Sequence, residues 1–393
     1  MQPTLAGIRV VEQGTFITGP CAGMMLADLG ADVIKVESPE GDPYRAYQGG
    51  RYSPHFQAYN RNKRSIALNM KRPDDGPLFT ALVREADVYI QNFRPGTAER
   101  LGAGVEALLT LNPRMVYCSI SGFGATGPYA EHPSYDSVAQ ALSGFLSVVV
   151  DYRRPQFLGP ALADAITGLY ASQGILSALV QRGRTGRGCH VEVSMLEAMA
   201  HFAVEPFAAF FALGQTPTSA DRPRLAQAYI LHTSDARLIA IHLSSLEKFW
   251  EGLVKALEAP ELARDARFNT RERRIAEYEA LRHELDTRFK VKPLSHWTQR
   301  LQAQDVPHAP VNRIDDVVHD PQVEHLGIVV PVDGAHAATR SVRPALQFDG
   351  VRARSVGAAP LLDEHGKAIR AALARSASWP AAESSGERIE RLT

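Results

Sequence analysis

The sequence has few cysteines and no net charge, and each absence excludes a class of protein. Its three cysteines, Cys21, Cys118 and Cys189, are far apart and include no Cys-x-x-Cys pair. This usage supports neither a disulfide framework nor a zinc knuckle, so we expect a reducing cytoplasm and no metal site. The 43 basic and 43 acidic residues cancel. The chain therefore has no overall attraction for nucleic acid or an anionic membrane, and it must hold any anionic ligand locally.

Long apolar runs are also missing. No segment offers the ~20 uninterrupted apolar residues of a membrane span, and the sequence opens without a basic and then apolar leader. We therefore expect a protein that is neither exported nor embedded in a membrane. At 393 residues and 45% hydrophobic composition, the chain is long enough for two domains and a large core.

The first half alternates between short β-branched runs and helical patterns. Strands are predicted at residues 8–12 and 31–37 around a helix near 24–29. Strand, helix and strand within ~30 residues form a parallel βαβ unit with a right-handed crossover. The alternation continues with predicted strands at 66–68, 88–91 and 115–119 and helices at 77–85 and 96–101. This pattern predicts a doubly wound α/β domain on a parallel sheet.

In such sheets ligands gather beyond the carboxyl ends of the strands. The loops concerned are 14–20, 37–45, 92–96 and 121–128. The last contains Gly122-Phe-Gly-Ala-Thr-Gly127, which matches the dinucleotide fingerprint Gly-x-Gly-x-x-Gly, but Pro128 and Pro133 follow and open no helix. Because the fingerprint needs a helix to start within the glycines, we interpret the motif as a tight turn and expect the next helix at 137–149.

Asp164 is the only acidic residue in the stretch 159–188, which consists mostly of small and apolar residues except at its basic end. Helical spacing from 166 to 180 predicts a long, largely buried helix that Pro160 helps to start. Asp164 then lies in the first turn, where a carboxylate is favoured by unpaired N–H groups and the helix dipole. One interpretation is a helix cap; the other is a reactive carboxylate, because small neighbours leave space for a substrate. These neighbours are Ala161, Ala163, Ala165 and Gly168.

The second half changes character after a predicted strand at 190–194 and helix at 195–213. Residues 214–225 carry two prolines and several polar side chains, a composition typical of a linker. Beyond it, the predicted elements are strands at 228–232 and 238–242, helices at 245–257, 271–289 and 293–304, and short strands at 327–332 and 345–348. Two strands followed by a run of helices indicate an α+β domain.

Seven stretches follow one another in an order that one known family shares. They are Leu5-Ala-Gly-Ile-Arg-Val-Val-Glu12, Leu26-Ala-Asp-Leu-Gly-Ala-Asp-Val-Ile-Lys-Val-Glu37, Asn60-Arg-Asn-Lys-Arg-Ser-Ile66, Gln91-Asn-Phe-Arg-Pro-Gly96, Ser121-Gly-Phe-Gly124, Ala163-Asp164 and Ala359-Pro-Leu-Leu-Asp-Glu-His365. Together they extend over nearly the whole chain and resemble the class III coenzyme A transferases. That family includes formyl-CoA transferase and carnitine CoA-transferase, and the α-methylacyl-CoA racemases are related to it.

The resemblance implies a large α/β domain built from both chain ends, a small domain between two linkers, and ring-shaped chains interlocked as a homodimer. On this plan the chain divides into a large CoA-binding domain at 1–213, a linker at 214–228, a small α+β domain at 229–318, a linker at 319–345 and the C-terminal part of the large domain at 346–393.

The resemblance also implies an activity, the transfer of CoA from an acyl-CoA thioester to a carboxylic acid. Asp164 would be the covalent nucleophile, forming an acyl anhydride and then a CoA thioester. The positions that match the family's CoA-binding motifs are Leu68, Lys71, Asn92, Phe93, Arg94, Arg100, Tyr135 and Asp136. The cationic side chains among these residues suit the phosphates of CoA, and the apolar side chains suit its adenine or pantetheine. No metal and no cofactor beyond the CoA of the substrate is implied.

Departures from the family pattern reduce the number of activities that we expect. Formyl-CoA enzymes carry Gln at the position of Ile17, a basic residue at that of Ser38, and a glycine run that residues 214–229 lack. This argues against a formyl and oxalate pair. The racemases carry a His where this chain has Tyr135, and a tyrosine with a pKa near ~10 is a poor proton-transfer group at neutral pH.

Two alternatives stay open. One is an epimerase like the α-methylacyl-CoA racemases, and the other is a CoA-binding protein without catalysis, which would not need Asp164.

The identity of the carboxylic acid substrate is a separate question. Arginines in or near predicted loops suit a second carboxylate, which favours a dicarboxylate such as succinate, itaconate, mesaconate or citramalate. They are Arg45, Arg51, Arg61 and Arg224.

Overall fold

The computed structural model describes residues 3–48, 50–157, 159–244, 246–376 and 378–380. Backbone contacts divide the chain into two compact units. Unit 1 comprises the described residues of Met1–Leu146, Phe157–Val204 and Gln322–Thr393, and unit 2 comprises Ser147–Gln156 and those of Glu205–Pro321. The domain and linker boundaries given above stay predictions.

The strands are β1 (Arg9–Gln13), β2 (Asp32–Glu37), β3 (Arg64–Ala67), β4 (Val88–Gln91), β5 (Val116–Ser121), β6 (His190–Ser194), β7 (Ala228–His232), β8 (Leu238–His242), β9 (His308–Pro310), β10 (Val329–Asp333), β11 (Arg340–Val342) and β12 (Val356–Gly357). The helices are α1 (Thr18–Asp28), α2 (Pro54–Asn60), α3 (Asp75–Glu85), α4 (Thr97–Arg100), α5 (Val105–Leu111), α6 (Asp136–Leu142), α7 (Leu162–Thr185), α8 (Met195–Phe202), α9 (Val204–Leu213), α10 (Asp221–Ala226), α11 (Leu246–Leu257), α12 (Pro260–Arg264), α13 (Arg271–Ala276), α14 (Tyr278–Phe289), α15 (Leu294–Ala303), α16 (Ile314–Val317), α17 (Pro321–Leu326) and α18 (Gly366–Ser376). Two 3-10 turns lie at Pro43–Ala46 and Phe145–Val148.

Unit 1 is built on a six-stranded sheet in the order β3-β2-β1-β4-β5-β6, and all its neighbouring strands are parallel. In the register of the central strand, Val10 lies opposite Val33 of β2 and Val88 of β4. The strand order reverses between β1 and β4, which is the point where doubly wound sheets bind ligands. The predicted doubly wound parallel sheet is therefore confirmed.

Helices cover both faces of this sheet because successive strand residues point to opposite sides. Val10 packs in a cluster with Ile175 of α7, whereas Val11 packs in another with Phe79 of α3 and Ile369 of α18. Both valines are fully buried, and burying each side chain contributes about 1.5–3 kcal/mol. The two adjacent valines of β1 follow from this burial on two sides.

Unit 2 contains a smaller antiparallel sheet in the order β7-β8-β9. Tyr229 and Leu231 of β7 are buried, while Ile230 between them is 58% exposed. This alternation puts one face of the sheet against a core that includes Trp250 of α11 and Leu285 of α14. The predicted pair of strands is present, with helices after it. A third sheet, in unit 1, has the order β11-β10-β12.

The helix predicted at 195–213 is wrong in one respect, because it is two helices. α8 and α9 meet at Ala203 with a bend of 65°. Pro206 explains the break, since proline has no N–H to donate to the carbonyl of Phe202 and its ring clashes with that carbonyl. By length and apolar composition this bent pair could form a broken membrane span, whereas no single helix among the described residues could cross a membrane.

The helix predicted at 271–289 also divides, at Glu277, into α13 and α14. The new helix begins at Tyr278, whose ring stacks on that of Tyr229 with 4.9 Å between centroids. The helix predicted from 245 is described from Leu246, because residue 245 lies outside the described residues. The aromatic stack anchors the start of α14 to β7.

Two further predicted elements differ from the structure: one helix is shorter than expected, and one strand is replaced by an isolated bridge. The helix predicted at 137–149 ends at Leu142, shortly before Gly144 adopts the left-handed φ of 80° that ends helices. The strand predicted at 345–348 is wrong. At that place Phe348 forms only an isolated bridge with Val351.

Candidate active site

Asp164 is the third residue of α7, and its side chain does not cap the helix. Asp136, the first residue of α6, performs that role instead. Its Oδ1 accepts hydrogen bonds from the backbone N–H groups of Ala163 at 2.7 Å and Asp164 at 3.3 Å. The capping interpretation of Asp164 therefore fails. Its carboxylate makes no hydrogen bond or ion pair with the described residues and is left available for chemistry.

The carboxyl group of Asp164 is a weak acid in this setting. Burial raises its pKa from 3.8 to about 7, and the charge of Asp136 adds to the effect. The folded protein thus holds this proton more tightly than the unfolded chain, so the free energy of unfolding falls as the pH rises from about 4 to about 7. At neutral pH the ionised carboxylate is a destabilised anion, and any reaction that makes it uncharged relieves that destabilisation.

Helix α1 approaches α7 very closely beside this carboxylate. A Cβ added at Gly168 would lie 2.7 Å from the Cβ of Cys21 and 3.0 Å from the carbonyl oxygen of Thr18. The space beside Gly168 is therefore filled by α1, and its predicted use by a substrate is wrong. Burial raises the pKa of Cys21 to about 11. Its thiol stays protonated and does not compete with Asp164 as a nucleophile.

A cavity of about 540 Å³ opens at the carboxyl ends of β1 to β4. It is lined by residues 13–15, 36–43 and 68–71, together with Phe93 and Leu101. This is the edge of the sheet at which the predicted ligand loops were expected to meet. Three of the predicted CoA-binding residues line it, namely Leu68, Lys71 and Phe93. Lys71 is the one cation in that lining, and apolar atoms form much of the rest.

The other predicted CoA-binding residues do not line this cavity. Asn92 fixes the loop after β1, because its Nδ2 donates to the carbonyl oxygen of Thr15 at 2.8 Å and its Oδ1 accepts from the N–H of Thr15 at 2.8 Å. Arg100 donates to Thr97 Oγ1 at 2.7 Å. Arg94 is exposed, and so is Tyr135, to 63%, at the start of α6. Among the described residues, no group of three or more His, Cys, Asp or Glu could hold a metal ion.

The glycine motif is a turn, as predicted. The fully described chain between Ser121 and Asp136 forms no helix. A Cβ added at Gly122 would lie 2.3 Å from the Cβ of Ser134, so this glycine lets the loop fold back on itself. A second cavity, of about 640 Å³ and mostly apolar, is lined by Phe123, Tyr129, His132, Pro133, Val138, Ala141 and Leu142.

Two of the four arginines predicted to hold a second carboxylate are already paired. Buried Arg45 makes two hydrogen bonds of 2.7 Å to the carboxylate of Glu37. Arg61 likewise donates to both carboxylate oxygens of Asp28, at 3.0 and 2.6 Å. The prediction is wrong for both, because each guanidinium is occupied within the fold. It stays a prediction for Arg51 and Arg224.

Sequence reasoning missed a buried charge cluster beneath the ligand loops. The side chains of Glu12, Lys35 and Lys63 have no solvent exposure, and the two Nζ atoms lie 3.0 and 2.5 Å from the Glu12 carboxylate. Lys35 also donates to the carbonyl oxygen of Gly14 at 2.7 Å, and Lys63 to that of Pro20 at 2.8 Å. The lysines thus hold both ends of the loop between β1 and α1. The available signals were Glu12, which directly follows two valines, and Lys35, which lies between Ile34 and Val36.

Comparison with known proteins agrees with this geometry. A sequence model described as CoA-transferase family III matches residues 5–366. Acetyl-CoA:oxalate CoA-transferase of Acetobacter aceti is 34% identical over 371 residues, which are 93% of this chain and 94% of the relative. Succinate--glutarate CoA-transferase of Agrobacterium fabrum is 34% identical over 391 residues, 95% and 96% of the two chains.

A solved structure shares both the fold and much of the sequence. The crystal structure of a CAIB/BAIF family protein from Brucella suis matches with a TM-score of 0.85 and 36% identity, covering 95% of this chain and 100% of that one. These matches run along nearly the whole chain, through the sheet, the cavity loops and Asp164. They exclude the interpretation as a CoA-binding protein without catalysis. The chain belongs to CoA-transferase family III and is an enzyme that transfers CoA.

Proposed function

We propose that this enzyme moves CoA from an acyl-CoA to a carboxylic acid through Asp164, and that at least one of the two acids is a small dicarboxylate. The observation that carries the proposal is a half-buried carboxylate that its own helix does not use, because Asp136 supplies the cap. The dicarboxylate rests on the names of relatives, which contain oxalate, succinate and glutarate. Succinate, itaconate, mesaconate and citramalate are the acids we expect first.

The first half of the reaction loads CoA onto the enzyme. A carboxylate oxygen of Asp164 attacks the thioester carbonyl carbon, the C–S bond breaks, and an anhydride and the CoA thiolate result. The thiolate then attacks the carbonyl carbon of Asp164. The bond to the acyl oxygen breaks, the first acid leaves as a carboxylate, and an aspartyl-CoA thioester remains.

The second half repeats these steps in reverse with the acceptor. The acceptor carboxylate attacks the aspartyl-CoA thioester, which forms a second anhydride and frees the thiolate. The thiolate attacks the acceptor's carbonyl carbon, so the new acyl-CoA leaves and Asp164 is again a carboxylate. All atoms and charges balance without any other reactant.

Electrostatics favour the covalent states. Both the anhydride and the thioester at Asp164 are uncharged, whereas burial and the charge of Asp136 penalise the free carboxylate. At about 1.36 kcal/mol per unit of pKa, a shift from 3.8 to about 7 corresponds to at most about 4 kcal/mol. This penalty raises the energy of the nucleophile but not of its acyl derivatives, and so promotes attack.

A screen of donors against acceptors tests the substrate proposal. Acetyl-CoA, succinyl-CoA and a branched monocarboxylic acyl-CoA are each mixed with mono- and dicarboxylic acids, and the new acyl-CoA is identified by its mass. We expect exchange to be fastest where a four- or five-carbon dicarboxylate is one partner. Exchange confined to monocarboxylic pairs would contradict the dicarboxylate while leaving the transfer itself in place.

We further propose that the cavity at the ends of β1 to β4 takes the nucleotide end of CoA, with Lys71 and Arg100 toward its phosphates. Replacing Lys71 by Ala should weaken CoA binding about tenfold at low salt. A charge-assisted hydrogen bond contributes about 1.5–3 kcal/mol, and solvent around the exposed ammonium group screens part of that energy. Arg100→Ala should have a smaller effect because Arg100 does not line the cavity. Arg72→Ala, which removes the neighbouring exposed charge, is the control. Wild-type affinity in the Lys71→Ala, Arg100→Ala double variant by calorimetry would exclude this site.

The acid limb of the pH profile should depend on Asp136. Asn at this position keeps an oxygen that accepts the two backbone hydrogen bonds but removes the charge that helps to raise the pKa of Asp164. We therefore expect Asp136→Asn to move the acid limb of kcat/KM from near pH 7 to a pH about one unit lower. Glu106→Gln, at an exposed position of α5, should leave the limb in place. A limb that stays unchanged in Asp136→Asn would show that this charge does not act on the nucleophile.

We propose an interlocked homodimer as well. Unit 1 exposes large apolar side chains, among them Leu142 at 46%, Leu169 at 53%, Val180 at 60% and Phe202 at 52%. An interface between two chains would cover exposed apolar side chains of this size. Light scattering at micromolar concentration should give the mass of two chains, and a folded monomer would contradict the proposal. The cytoplasmic location stays a prediction from the free cysteines.

A further inference from the structure

Phe16, in the loop between β1 and α1, has a backbone that bulky residues avoid. Its φ is 59°, in the left-handed region, where side chains other than that of glycine are strained. Glycine would make the same turn without strain, and the loop already contains Gly14 and Gly19. A strained aromatic residue at the ligand-binding edge of the sheet indicates that its ring has a function.

Buried groups hold this backbone in place. The N–H of Phe16 donates to Oδ1 of Asp42 at 3.1 Å, and the same oxygen accepts from the N–H of Tyr44 at 2.9 Å. Asp42 is itself fixed. Oδ2 of its carboxylate lies 3.1 Å from Nζ of Lys35, and its backbone N–H donates to the carboxylate of Glu37. Relaxing the backbone at Phe16 would therefore break its hydrogen bond to a buried and fixed carboxylate. The position of the ring is built into the fold.

The ring of Phe16 lies beside two groups that adjoin the nucleophile. Its centroid is 5.9 Å from that of Tyr44 and 6.0 Å from that of Tyr135, the latter in an edge-to-face arrangement. Tyr44 is buried in one apolar cluster with Cys21, and Ala161, the residue before α7, packs against that cluster. Tyr135 precedes Asp136, which holds the first turn of α7. The three rings form an aromatic wall, defined as Phe16, Tyr44 and Tyr135.

The wall adjoins both parts of the site. Thr15, the residue before Phe16, lines the cavity at the ends of β1 to β4. Phe16 itself belongs to an apolar cluster with Cys21 and Ala161, which lie beside α7. A thioester that reaches Asp164 from this cavity therefore comes close to the wall. Phe16 is half-buried and Tyr135 is mostly exposed, so the wall has one side open to a ligand.

We propose that Phe16 is a specificity-determining residue, against whose ring the acyl group of the donor lies while its carbonyl carbon is attacked by Asp164. The inference rests on the proposed function and deepens it. A rigid ring at this place limits the length of the acyl group, because a longer chain meets the wall before its carbonyl carbon reaches the carboxylate. A ring needed only for core packing would impose no such limit.

Donor preference in Phe16→Gly tests the inference. Glycine suits the positive φ, and the relief of backbone strain offsets part of the packing lost with the ring, so the variant should fold without the ring. The measured quantity is kcat/KM for adipyl-CoA divided by kcat/KM for succinyl-CoA, with one acceptor held constant. We expect this ratio to rise at least tenfold in Phe16→Gly and less in Phe16→Leu, which keeps part of the apolar bulk.

Ala236→Gly is the matched control. Ala236 has a φ of 58° in the turn between β7 and β8, so its replacement relieves the same kind of strain without touching the wall. It should leave the donor ratio unchanged. An unchanged ratio in Phe16→Gly would overturn the inference, and if that variant does not fold, an unchanged ratio in Phe16→Leu decides in the same way. A wild type that transfers CoA from neither donor would instead overturn the proposed function, and the inference with it.

Discussion

Asp164→Asn should abolish CoA transfer while the protein stays folded and still binds CoA. Loss of a covalent nucleophile costs about 10⁴-fold or more in kcat, and an amide cannot form the anhydride. Asn has nearly the same size, and Asp136 rather than Asp164 caps α7. The helix should therefore be intact. Steady-state transfer rates and calorimetric CoA affinities on the same preparation measure the two properties separately.

The stability of this variant gives an independent check. In the wild type the ionised carboxylate destabilises the fold above pH 7, because burial and Asp136 raise its pKa to about 7. Asp164→Asn removes that penalty, so its free energy of unfolding should exceed the wild-type value at pH 8 and match it near pH 4. Appreciable transfer by Asp164→Asn, or lower stability at pH 8, would contradict the role assigned to this carboxylate.

Glu12→Gln should be strongly destabilising. Burial alone would raise the pKa of Glu12, but the charges of Lys35 and Lys63 outweigh it and lower the pKa. Burial lowers the pKa of Lys63 to about 8 even with Glu12 beside it. Without Glu12, both lysines lose their shared buried partner, and breaking a buried pair in this way costs about 3–5 kcal/mol. Urea unfolding followed by circular dichroism measures the loss.

The same strand offers a matched control for that experiment. Arg9 pairs with Glu85 at 2.8 Å, but their side chains are 41% and 38% exposed. An exposed pair of this kind contributes about 0–1 kcal/mol, so Arg9→Met should hardly change the unfolding midpoint. If Glu12→Gln lost no more stability than Arg9→Met, the buried cluster would not be what holds the loop between β1 and α1.

Much of the unit 1 fold could be predicted because its signals are local. The β-branched run of β1 and the alternation of strands and helices indicated a parallel sheet, and the sheet has that form. The break between α8 and α9 was also within reach, since Pro206 cannot continue a helix. The break before Tyr278 was not, because no proline or glycine marks it in the sequence. The ring on which Tyr278 stacks belongs to Tyr229, 49 positions away.

The candidate site shows the same division between local and distant causes. The sequence places Asp164 in the first turn of a helix, but it does not show that Asp136 takes over the cap from another helix. Arg45 was a reasonable anion-binding residue by its place in a loop, yet Glu37 occupies it. Small residues indicated open space, whereas Gly168 is needed for contact with Cys21. Partners distant in sequence decide all three.

CoA transfer and racemisation differ in what happens to the α-proton of the acyl-CoA. A racemase exchanges the α-proton of an acyl-CoA with solvent and needs no acceptor acid. Tyr135 occupies the position of the family's racemase His and is mostly exposed. We therefore expect no α-proton exchange into deuterated water under conditions in which CoA transfer is fast.

The central claim is covalent catalysis at Asp164, and mass spectrometry of the proteolytic peptide that contains it is the most direct test. Wild-type enzyme is mixed with succinyl-CoA in the absence of an acceptor acid and then quenched. The account predicts that this peptide gains the mass of the acyl group or of CoA, and that hydroxylamine converts the adduct to a hydroxamate at Asp164. A peptide that carries neither adduct in an enzyme that transfers CoA when acceptor is added would contradict the claim.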